Sequence, residues 1–290
     1  MFTGSLVAIV TPFRKGKLDE KAFGDLIEWQ IANGTNGIVP CGTTGESATL
    51  THDEHHRVVK LAVEVAKRRV PVIAGTGSNS TDEAISLTRH AKTDGADGAL
   101  LITPYYNKPT QEGLYRHYKA VAEAVDIPQV LYNIPGRTGV NMVPATVARL
   151  SVMKSIVGIK EGSGSVQQAS EIVQICGERI TVLAGDDGLT LPMMAVGGKG
   201  VITVTANVMP KEMAQLVRSF LDGRIEDSRR IHFKLSPLFA ALFYETNPIP
   251  VKEALGLMGK IDPELRLPLC PMGAETKTQL TRVMKDMGLI

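Results

Sequence analysis

One pattern recurs from Gly4 to about Gly200 and restricts the possible folds more than any other feature of the chain. A short apolar run ends in Gly, Thr, Pro or Asn, and a segment with the apolar period of a helix follows it. The pattern predicts strands at residues 6–10, 37–40, 72–74, 99–102, 129–132, 156–160, 181–184 and 201–204. Helices are predicted after N-caps at Asp19, Thr51, Ser80 and Thr110, the second and third as capping boxes, and near residues 144–150, 166–175, 189–196 and 210–221.

The predicted strands are continuously apolar instead of alternating, which is expected where helices cover both faces of a parallel sheet. Eight successive strand–helix units predict an α/β fold, a (β/α)8 TIM barrel over residues 1–222. A doubly wound sheet of six strands is the alternative, but no G-x-G-x-x-G sequence follows the first strand. Residues 223–290 indicate a helical region, with helices at 225–244, 250–258 and 275–287, that we expect to pack on the barrel because no linker separates the two.

The composition argues against several classes of function. The net charge of +2 is small and evenly spread, and only 5% of the residues are aromatic, so a nucleic-acid partner is not indicated. The cysteines Cys41, Cys176 and Cys270 form no C-x-x-C pair, which argues against a disulfide framework or a zinc knuckle. The apolar run near the N-terminus is too short for a signal peptide or a membrane span, and we expect a cytoplasmic protein.

Lys160 ends the sixth predicted strand, within the stretch Val157-Gly158-Ile159-Lys160-Glu161-Gly162-Ser163. A lysine at the end of an apolar strand is unusual, because burying an ammonium group is costly unless it is paired or deprotonated. The common outcome is a side chain that extends to the strand end or pairs with Glu161. The functional alternative is a desolvated amine that attacks a carbonyl carbon to form a Schiff base.

Candidate partners for such an amine lie at or near the ends of other predicted strands. The catalytic groups of a (β/α)8 barrel lie at the carboxyl ends of its strands, so these residues are expected to meet at one rim. They are Thr43, Thr44, Tyr132, Arg137, Gly185 and Ile202. A tyrosine can relay protons through a second hydroxyl, and glycine-flanked threonines offer N–H groups and hydroxyls to a carboxylate.

These candidates also have ordinary structural explanations when each is taken singly. Tyr132 could cap the barrel core, and the two threonines could be turn and capping residues. Arg137 could be a solvated loop charge. The functional interpretation therefore depends on their joint occurrence at corresponding strand ends.

Two motifs carry a resemblance to a known family. Gly42-Thr43-Thr44-Gly45-Glu46 and Gly158-Ile159-Lys160-Glu161 are similar to the shared motifs of the pyruvate-dependent class I aldolases, which include the N-acetylneuraminate lyases and the dihydrodipicolinate synthases. Within that family, Tyr132-Asn133-Ile134-Pro135-Gly136-Arg137-Thr138-Gly139 resembles the segment specific to the dihydrodipicolinate synthases. The resemblance extends over essentially the whole chain.

The resemblance implies a condensation of two substrates at this rim. Lys160 is expected to form a Schiff base with pyruvate, and Thr44, Gly185 and Ile202 are expected to contribute to substrate binding. The enamine then attacks L-aspartate 4-semialdehyde, which is bound through Arg137. Cyclisation with loss of water gives 4-hydroxy-tetrahydrodipicolinate, on the route to diaminopimelate and L-lysine. The family requires no metal and no organic cofactor for this reaction.

The same resemblance implies an assembly and a regulator. Thr43, Tyr132 and Tyr106 are expected to form a proton relay in which Tyr106 crosses a dimer interface into the neighbouring subunit's site. The family is most often a dimer of dimers, so a homotetramer is expected. Feedback inhibition by L-lysine is implied by the residues that match the family's lysine site, which are Ser47, Ala48, His52, His55, Asn79, Glu83 and Tyr105.

Other interpretations of these residues stay open. A related pyruvate-dependent aldolase could act on a sugar acid or a hydroxy-oxoglutarate, and an inactive barrel could serve as a lysine-binding regulator. His52 and His56 share a helix face, but a zincin requires glutamate where Asp53 stands. No histidine is placed by the sequence to activate Cys41 as a nucleophile.

Overall fold

Eight parallel strands form a closed barrel in the computed structural model, which describes residues 1–290. The strands are β1 (Gly4–Ala8), β2 (Gly37–Val39), β3 (Ile73–Gly75), β4 (Gly98–Ile102), β5 (Gln129–Asn133), β6 (Ile156–Glu161), β7 (Thr181–Ala184) and β8 (Gly200–Thr203). From β3 to β8 each strand pairs with the next, β8 pairs with β1, and β1 pairs with β2. A parallel bridge between Ile38 and Val72 joins β2 to β3 and closes the barrel, which confirms the predicted fold class.

A helix follows every barrel strand along the chain. These helices are α1 (Glu20–Ala32), α2 (His52–Ala66), α3 (Thr81–Thr93), α4 (Gln111–Ala124), α5 (Pro144–Leu150), α6 (Val166–Cys176), α7 (Thr190–Ala195) and α8 (Pro210–Leu221). The predicted N-caps at Asp19, Thr51, Ser80 and Thr110 are confirmed, because each side chain accepts a hydrogen bond from a backbone N–H of the first turn.

The capping box predicted at Ser80 is wrong in one half. Ser80 accepts a hydrogen bond from the Glu83 N–H, but the Glu83 carboxylate does not return to the Ser80 backbone. That carboxylate instead accepts from Ser78 Oγ and lies 3.1 Å from His52 Nε2. The Ser80 N–H donates to Ser78 Oγ at 3.0 Å. A contact with Ser78 in the preceding loop and a tertiary contact with His52 therefore override the capping pattern.

Apolar side chains fill the barrel interior and the space between the strands and the helices. The interior cluster consists of Leu6, Ala8, Val39, Ile73, Leu100, Val130, Tyr132, Leu183 and Ile202. A larger cluster of 59 buried residues holds the outward-facing strand residues together with the apolar faces of the helices. The barrel interior is thus a packed core, as is typical of this fold.

The chain continues after α8 with three helices, α9 (Ile225–Ala241), α10 (Ile249–Leu257) and α11 (Ala274–Asp286). Leu238, Leu255 and Leu280 of these helices belong to the same apolar cluster as the barrel helices, so the C-terminal region packs on the barrel. Asp222, the predicted end of the barrel domain, is the C-cap of α8. None of the helices has both the length and the apolar composition needed to cross a membrane.

Two short elements were not predicted. A hairpin joins Phe13–Arg14 to Lys17–Leu18, and its two turn residues have positive φ angles, 53° at Lys15 and 77° at Gly16. This is the two-residue turn that favours tight hairpins, and Gly16 is a signal for it in the sequence. A single helical turn, Pro135–Thr138, follows β5 and carries Arg137.

Candidate active site

Lys160 lies in β6 beside Tyr132 of the neighbouring strand β5. The lysine is 5% exposed, and its Nζ lies 4.2 Å from the centre of the Tyr132 ring. Its amine forms no salt bridge, although other lysines of the chain do. A buried amine without an anionic partner is the arrangement that a Schiff-base nucleophile needs.

Glu161 does not pair with Lys160. Successive residues of a strand point to opposite faces, so the carboxylate lies on the outer side of the barrel. It is fully buried and accepts hydrogen bonds from Asn133 Nδ2 at 3.1 Å, Ser163 N at 2.6 Å and Gln168 Nε2 at 3.1 Å. The strand geometry excludes pairing, and the burial of Lys160 excludes extension into solvent.

A cavity of about 40 Å³ adjoins Lys160 at the carboxyl end of the barrel. The predicted residues that line it together with Lys160 are Thr43, Thr44, Tyr132, Arg137 and Gly185. These six residues come from the ends of four strands or the loops after them, namely β2, β5, β6 and β7. The structure therefore brings these scattered residues together at one rim.

The loop that bears Thr43 and Thr44 lies close against β3. Its turn is held by a hydrogen bond from the Glu46 N–H to the Thr43 carbonyl, at 3.1 Å. A Cβ atom on Gly75 of β3 would lie 2.1 Å from the Cys41 carbonyl oxygen, so a glycine is required for this approach. The packing of the loop thus depends on a residue about 30 positions away in the chain.

Glu46 anchors the same loop to the C-terminal helices. Its buried carboxylate accepts from Lys252 Nζ of α10 at 2.6 Å and from the Arg266 backbone N–H at 3.2 Å. Lys252 also donates to the Thr11 carbonyl at 2.9 Å and lies 4.4 Å from the centre of the Phe13 ring. Burial lowers the pKa of Lys252, and the Glu46 charge opposes that effect. The C-terminal region therefore holds the threonine loop in place.

Asn247 is a residue of the cavity that sequence reasoning missed. It precedes α10, is 4% exposed, and lines the cavity beside Lys160. Its Nδ2 donates to Thr44 Oγ1 at 3.0 Å, and its backbone carbonyl accepts from Arg137 Nη2 at 3.0 Å. No local pattern marks this asparagine, because its contact with Thr44 spans 203 residues of the chain.

The predicted proton relay is not assembled within one chain. Thr43 and Tyr132 line the same cavity, but their hydroxyl groups form no direct hydrogen bond. Tyr106 lies in the loop after β4, is 90% exposed, and lines none of the cavities described here. The predicted residue Ile202 does not line the cavity, because its side chain lies in the barrel interior. Val204, beyond the end of β8, lines the cavity instead.

A larger cavity, of about 590 Å³, also borders the threonine loop. Its volume is within the range of small-molecule sites. Six of the seven residues predicted for the lysine site line it, namely Ser47, Ala48, His52, His55, Glu83 and Tyr105. The seventh, Asn79, does not line this cavity, and its backbone carbonyl accepts from Asn107 Nδ2 at 2.9 Å. Thr43 and Arg137 line this cavity too, so the two sites are neighbours.

Glu83 supplies a negative charge to the larger cavity. The hydrogen bond from Ser78 and the contact with His52 lower the pKa of its carboxyl group, although partial burial opposes this. Burial lowers the pKa of His55, and its Nε2 lies 2.7 Å from the Gly75 carbonyl oxygen. A neutral His55 then donates through Nε2 and keeps Nδ1 as an acceptor. A carboxylate beside a neutral imidazole suits a ligand with an ammonium group.

The two other candidate chemistries find no support in the contacts of their residues. His52 pairs with Glu83, whereas His56 stacks on His90 with ring centres 3.9 Å apart, so the two imidazoles do not converge. Burial raises the pKa of the Cys41 thiol, which is therefore protonated and unsuited to nucleophilic attack.

Comparison with known proteins agrees with this geometry. The chain matches the model of the dihydrodipicolinate synthetase family over residues 1–287. It is 62% identical over 290 residues to a 4-hydroxy-tetrahydrodipicolinate synthase of Geotalea uraniireducens, and the alignment covers 100% of both chains.

Solved structures of similar proteins include complexes with small molecules. The chloride-inhibited dihydrodipicolinate synthase from Acinetobacter baumannii complexed with pyruvate is 48% identical to this chain. The two structures superpose with a TM-score of 0.98, and the alignment covers 100% of both chains. The enzyme from Cyanidioschyzon merolae with lysine bound is 40% identical, with a TM-score of 0.96 and coverage of 100% of this chain and 99% of that one.

Proposed function

Since the chain belongs to the dihydrodipicolinate synthetase family, we propose that it is a Schiff-base-forming lyase, a 4-hydroxy-tetrahydrodipicolinate synthase. It condenses pyruvate with L-aspartate 4-semialdehyde on the route to diaminopimelate and L-lysine. The observation that carries the proposal is the buried Lys160 amine, which has no anionic partner and borders a cavity that Tyr132 and Arg137 also line. The similarity of the whole chain to synthases of this name supports the choice of reaction.

The first half of the reaction takes place on Lys160. Its amine adds to the C2 carbonyl carbon of pyruvate, and loss of water gives an imine. Thr44 holds the pyruvate carboxylate, and Gly185 and Ile202 are the other proposed substrate-binding positions. Loss of a proton from the methyl carbon C3 then gives the enamine. Tyr132, whose ring centre lies 4.2 Å from Lys160 Nζ, is the proposed carrier of these protons.

The second half joins the two substrates. The Arg137 guanidinium binds the carboxylate of L-aspartate 4-semialdehyde, which orients the aldehyde towards the enamine. Carbon C3 attacks the aldehyde carbon, a carbon–carbon bond forms, and the aldehyde oxygen takes a proton to become a hydroxyl group. The amino group of the second substrate then replaces Lys160 at C2, which closes the ring and releases the lysine. One water is lost overall, and no metal or cofactor takes part.

The proposed enzyme works as a homo-oligomer in the cytoplasm, as a homotetramer built from two dimers. Tyr106 completes the relay of Thr43 and Tyr132 from the neighbouring subunit. Its exposure of 90% and its position away from the cavity of its own chain support a role in another subunit's site. Three free cysteines, two of them buried, are compatible with a reducing compartment.

The larger cavity is the proposed site of feedback inhibition by L-lysine. Glu83 and the neutral His55 would bind the ammonium groups of this ligand, and Ser47, His52 and Tyr105 supply further polar contacts. Because this cavity borders the threonine loop, lysine bound in it lies next to the loop that carries Thr43 and Thr44. The lysine bound to the enzyme of Cyanidioschyzon merolae supports this assignment.

The test is the initial rate with pyruvate and L-aspartate 4-semialdehyde, coupled to the next reductase and followed by NADPH absorbance. A pyruvate-dependent rate that disappears in Lys160→Ala supports both the reaction and the nucleophile. If borohydride traps pyruvate on Lys160 but no rate is seen, the enzyme is a related aldolase with another acceptor. If folded protein shows neither, the chain is not a Schiff-base enzyme.

A further inference from the structure

We propose that Asn247 binds the amino group of L-aspartate 4-semialdehyde and so selects this substrate over aldehydes without an amino group. The proposal rests on the proposed function and adds a residue that determines the specificity of the same site. It depends on an asparagine of the C-terminal region that neither sequence motif contains.

Only one of the two polar atoms of the Asn247 side-chain amide forms a hydrogen bond within the protein. Its Nδ2 donates to Thr44 Oγ1, but its Oδ1 has no hydrogen-bond donor in the protein, although the residue is 4% exposed. A buried acceptor without a donor destabilises the protein by the free energy of one lost hydrogen bond. Asn247 lines both cavities, and a molecule bound in either one supplies the missing donor if a small shift of the amide brings Oδ1 into contact with it.

The position of Asn247 matches the chemistry of the second substrate. Its backbone carbonyl accepts from Arg137 Nη2 at 3.0 Å, which places the asparagine directly beside the proposed carboxylate-binding group. In L-aspartate 4-semialdehyde the amino group and the carboxylate are attached to the same carbon. A carboxylate on Arg137 therefore brings the amino group next to Asn247, and an amide oxygen is an acceptor for it.

No other side chain of this cavity serves that purpose. No carboxylate lines it, and apart from Asn247 its side-chain acceptors are the hydroxyls of Thr43, Thr44 and Tyr132. The Thr44 hydroxyl already accepts from Asn247, and the other two are assigned to proton transfer. Glu46, which lines the larger cavity, has one oxygen on Lys252 and the other on Arg266. Asn247 Oδ1 is the remaining acceptor.

Contact with Asn247 also serves the ring closure. The amino group must reach the imine carbon on Lys160, which borders the same cavity as Asn247. An amide oxygen can orient this group without removing its proton, since an amide is not a base at neutral pH. Asn247 is thus a binding residue, and proton transfer stays with the hydroxyl groups.

The experiment compares two ligands that differ only in the amino group. For the wild type and for Asn247→Ala, the KM of L-aspartate 4-semialdehyde is measured beside the inhibition constant of 4-oxobutanoate, which keeps the carboxylate and the aldehyde. A hydrogen bond to a charged group predicts that the KM rises about 10- to 100-fold in Asn247→Ala. The inhibition constant of 4-oxobutanoate should change less than about threefold in Asn247→Ala. Arg137 donates to the backbone carbonyl of residue 247, which the alanine variant retains. Thr278→Ala, at an exposed residue of α11 that lines neither cavity, is the control.

A second variant guards against misfolding of the first. Asn247→Asp has the same shape and keeps an oxygen acceptor, so it should retain the preference for the amino compound that Asn247→Ala loses. Equal changes for both ligands in Asn247→Ala, or loss of the preference in Asn247→Asp, would overturn the inference while wild-type turnover leaves the proposed function intact. A wild type that traps pyruvate but does not turn over the semialdehyde overturns both.

Discussion

The buried ion pair between Glu46 and Lys252 offers the sharpest test of how the C-terminal helices support the site. The two side chains are 1% and 0% exposed, and their charged atoms lie 2.6 Å apart. Replacing Lys252 with methionine keeps most of the side-chain volume but leaves the Glu46 carboxylate buried with the Arg266 N–H, at 3.2 Å, as its remaining donor. Breaking a buried pair in this way costs about 3–5 kcal/mol of unfolding free energy.

That loss is large enough to measure as a shift in the melting temperature. For chains of 150–250 residues, each kcal/mol lowers Tm by roughly 2–4 °C, so Lys252→Met should lower it by roughly 6–20 °C. Scanning calorimetry or circular dichroism measures the shift. Because Glu46 anchors the loop that carries Thr44, the KM of pyruvate should rise as well.

Two further variants separate the ion pair from a general effect of losing a lysine. Lys21→Met removes an exposed pair with Asp25, whose side chains are 86% and 65% exposed, and should leave Tm unchanged. The double variant Glu46→Gln with Lys252→Met should recover most of the loss, because no unpaired charge remains buried. The reasoning is refuted if Lys252→Met melts within about 2 °C of the wild type, or if the double variant is less stable than Lys252→Met.

Three further predictions concern substrate binding, inhibition and pH. Arg137→Ala should raise the KM of L-aspartate 4-semialdehyde about 10- to 100-fold and leave borohydride trapping of pyruvate intact; unchanged kinetics would favour a related aldolase. Glu83→Gln should raise the L-lysine concentration for half-inhibition about tenfold, and equal inhibition curves for variant and wild type would contradict the site. Burial lowers the pKa of His117 from its ordinary value of 6.5 to about 4. The unfolded chain therefore binds the proton first as the pH falls. The contribution of neutral His117 to the free energy of unfolding is complete above pH 6.5 and decreases by about 3 kcal/mol towards pH 4. His117→Gln should abolish this part of the pH dependence, and urea unfolding at pH 7 and pH 4.5 would show whether it does.

The helices and strands of the barrel could be predicted because their signals are local. Continuous apolar runs mark strands covered on both faces, and side chains such as Thr51 and Thr110 cap the helices that follow. The count of eight such units then restricted the fold to a closed barrel. That fold places Thr44, Tyr132 and Lys160 at one rim, although they lie far apart in the chain.

Contacts between distant segments could not be predicted in the same way. The capping box at Ser80 failed because Glu83 has stronger partners in Ser78 and His52. The partners of the Glu161 carboxylate could not be predicted either, since one of them, Asn133 Nδ2, lies on the neighbouring strand β5, 28 residues away in the chain. In each case the carboxylate has a local partner and a tertiary one, and the sequence indicates only the local one.

The sequence by itself determined the fold class and the likeness to a family, and it singled out Lys160 as the candidate nucleophile. These follow from periodicity and short motifs, which act over a few residues and need no tertiary contact to be recognised. Only the tertiary structure decided that Asn247 joins Thr44 to Arg137 and that Lys252 neutralises Glu46. Those contacts depend on how the C-terminal helices dock on the barrel, and the physical reason is that a buried polar group must find its partner wherever the packing brings one within reach.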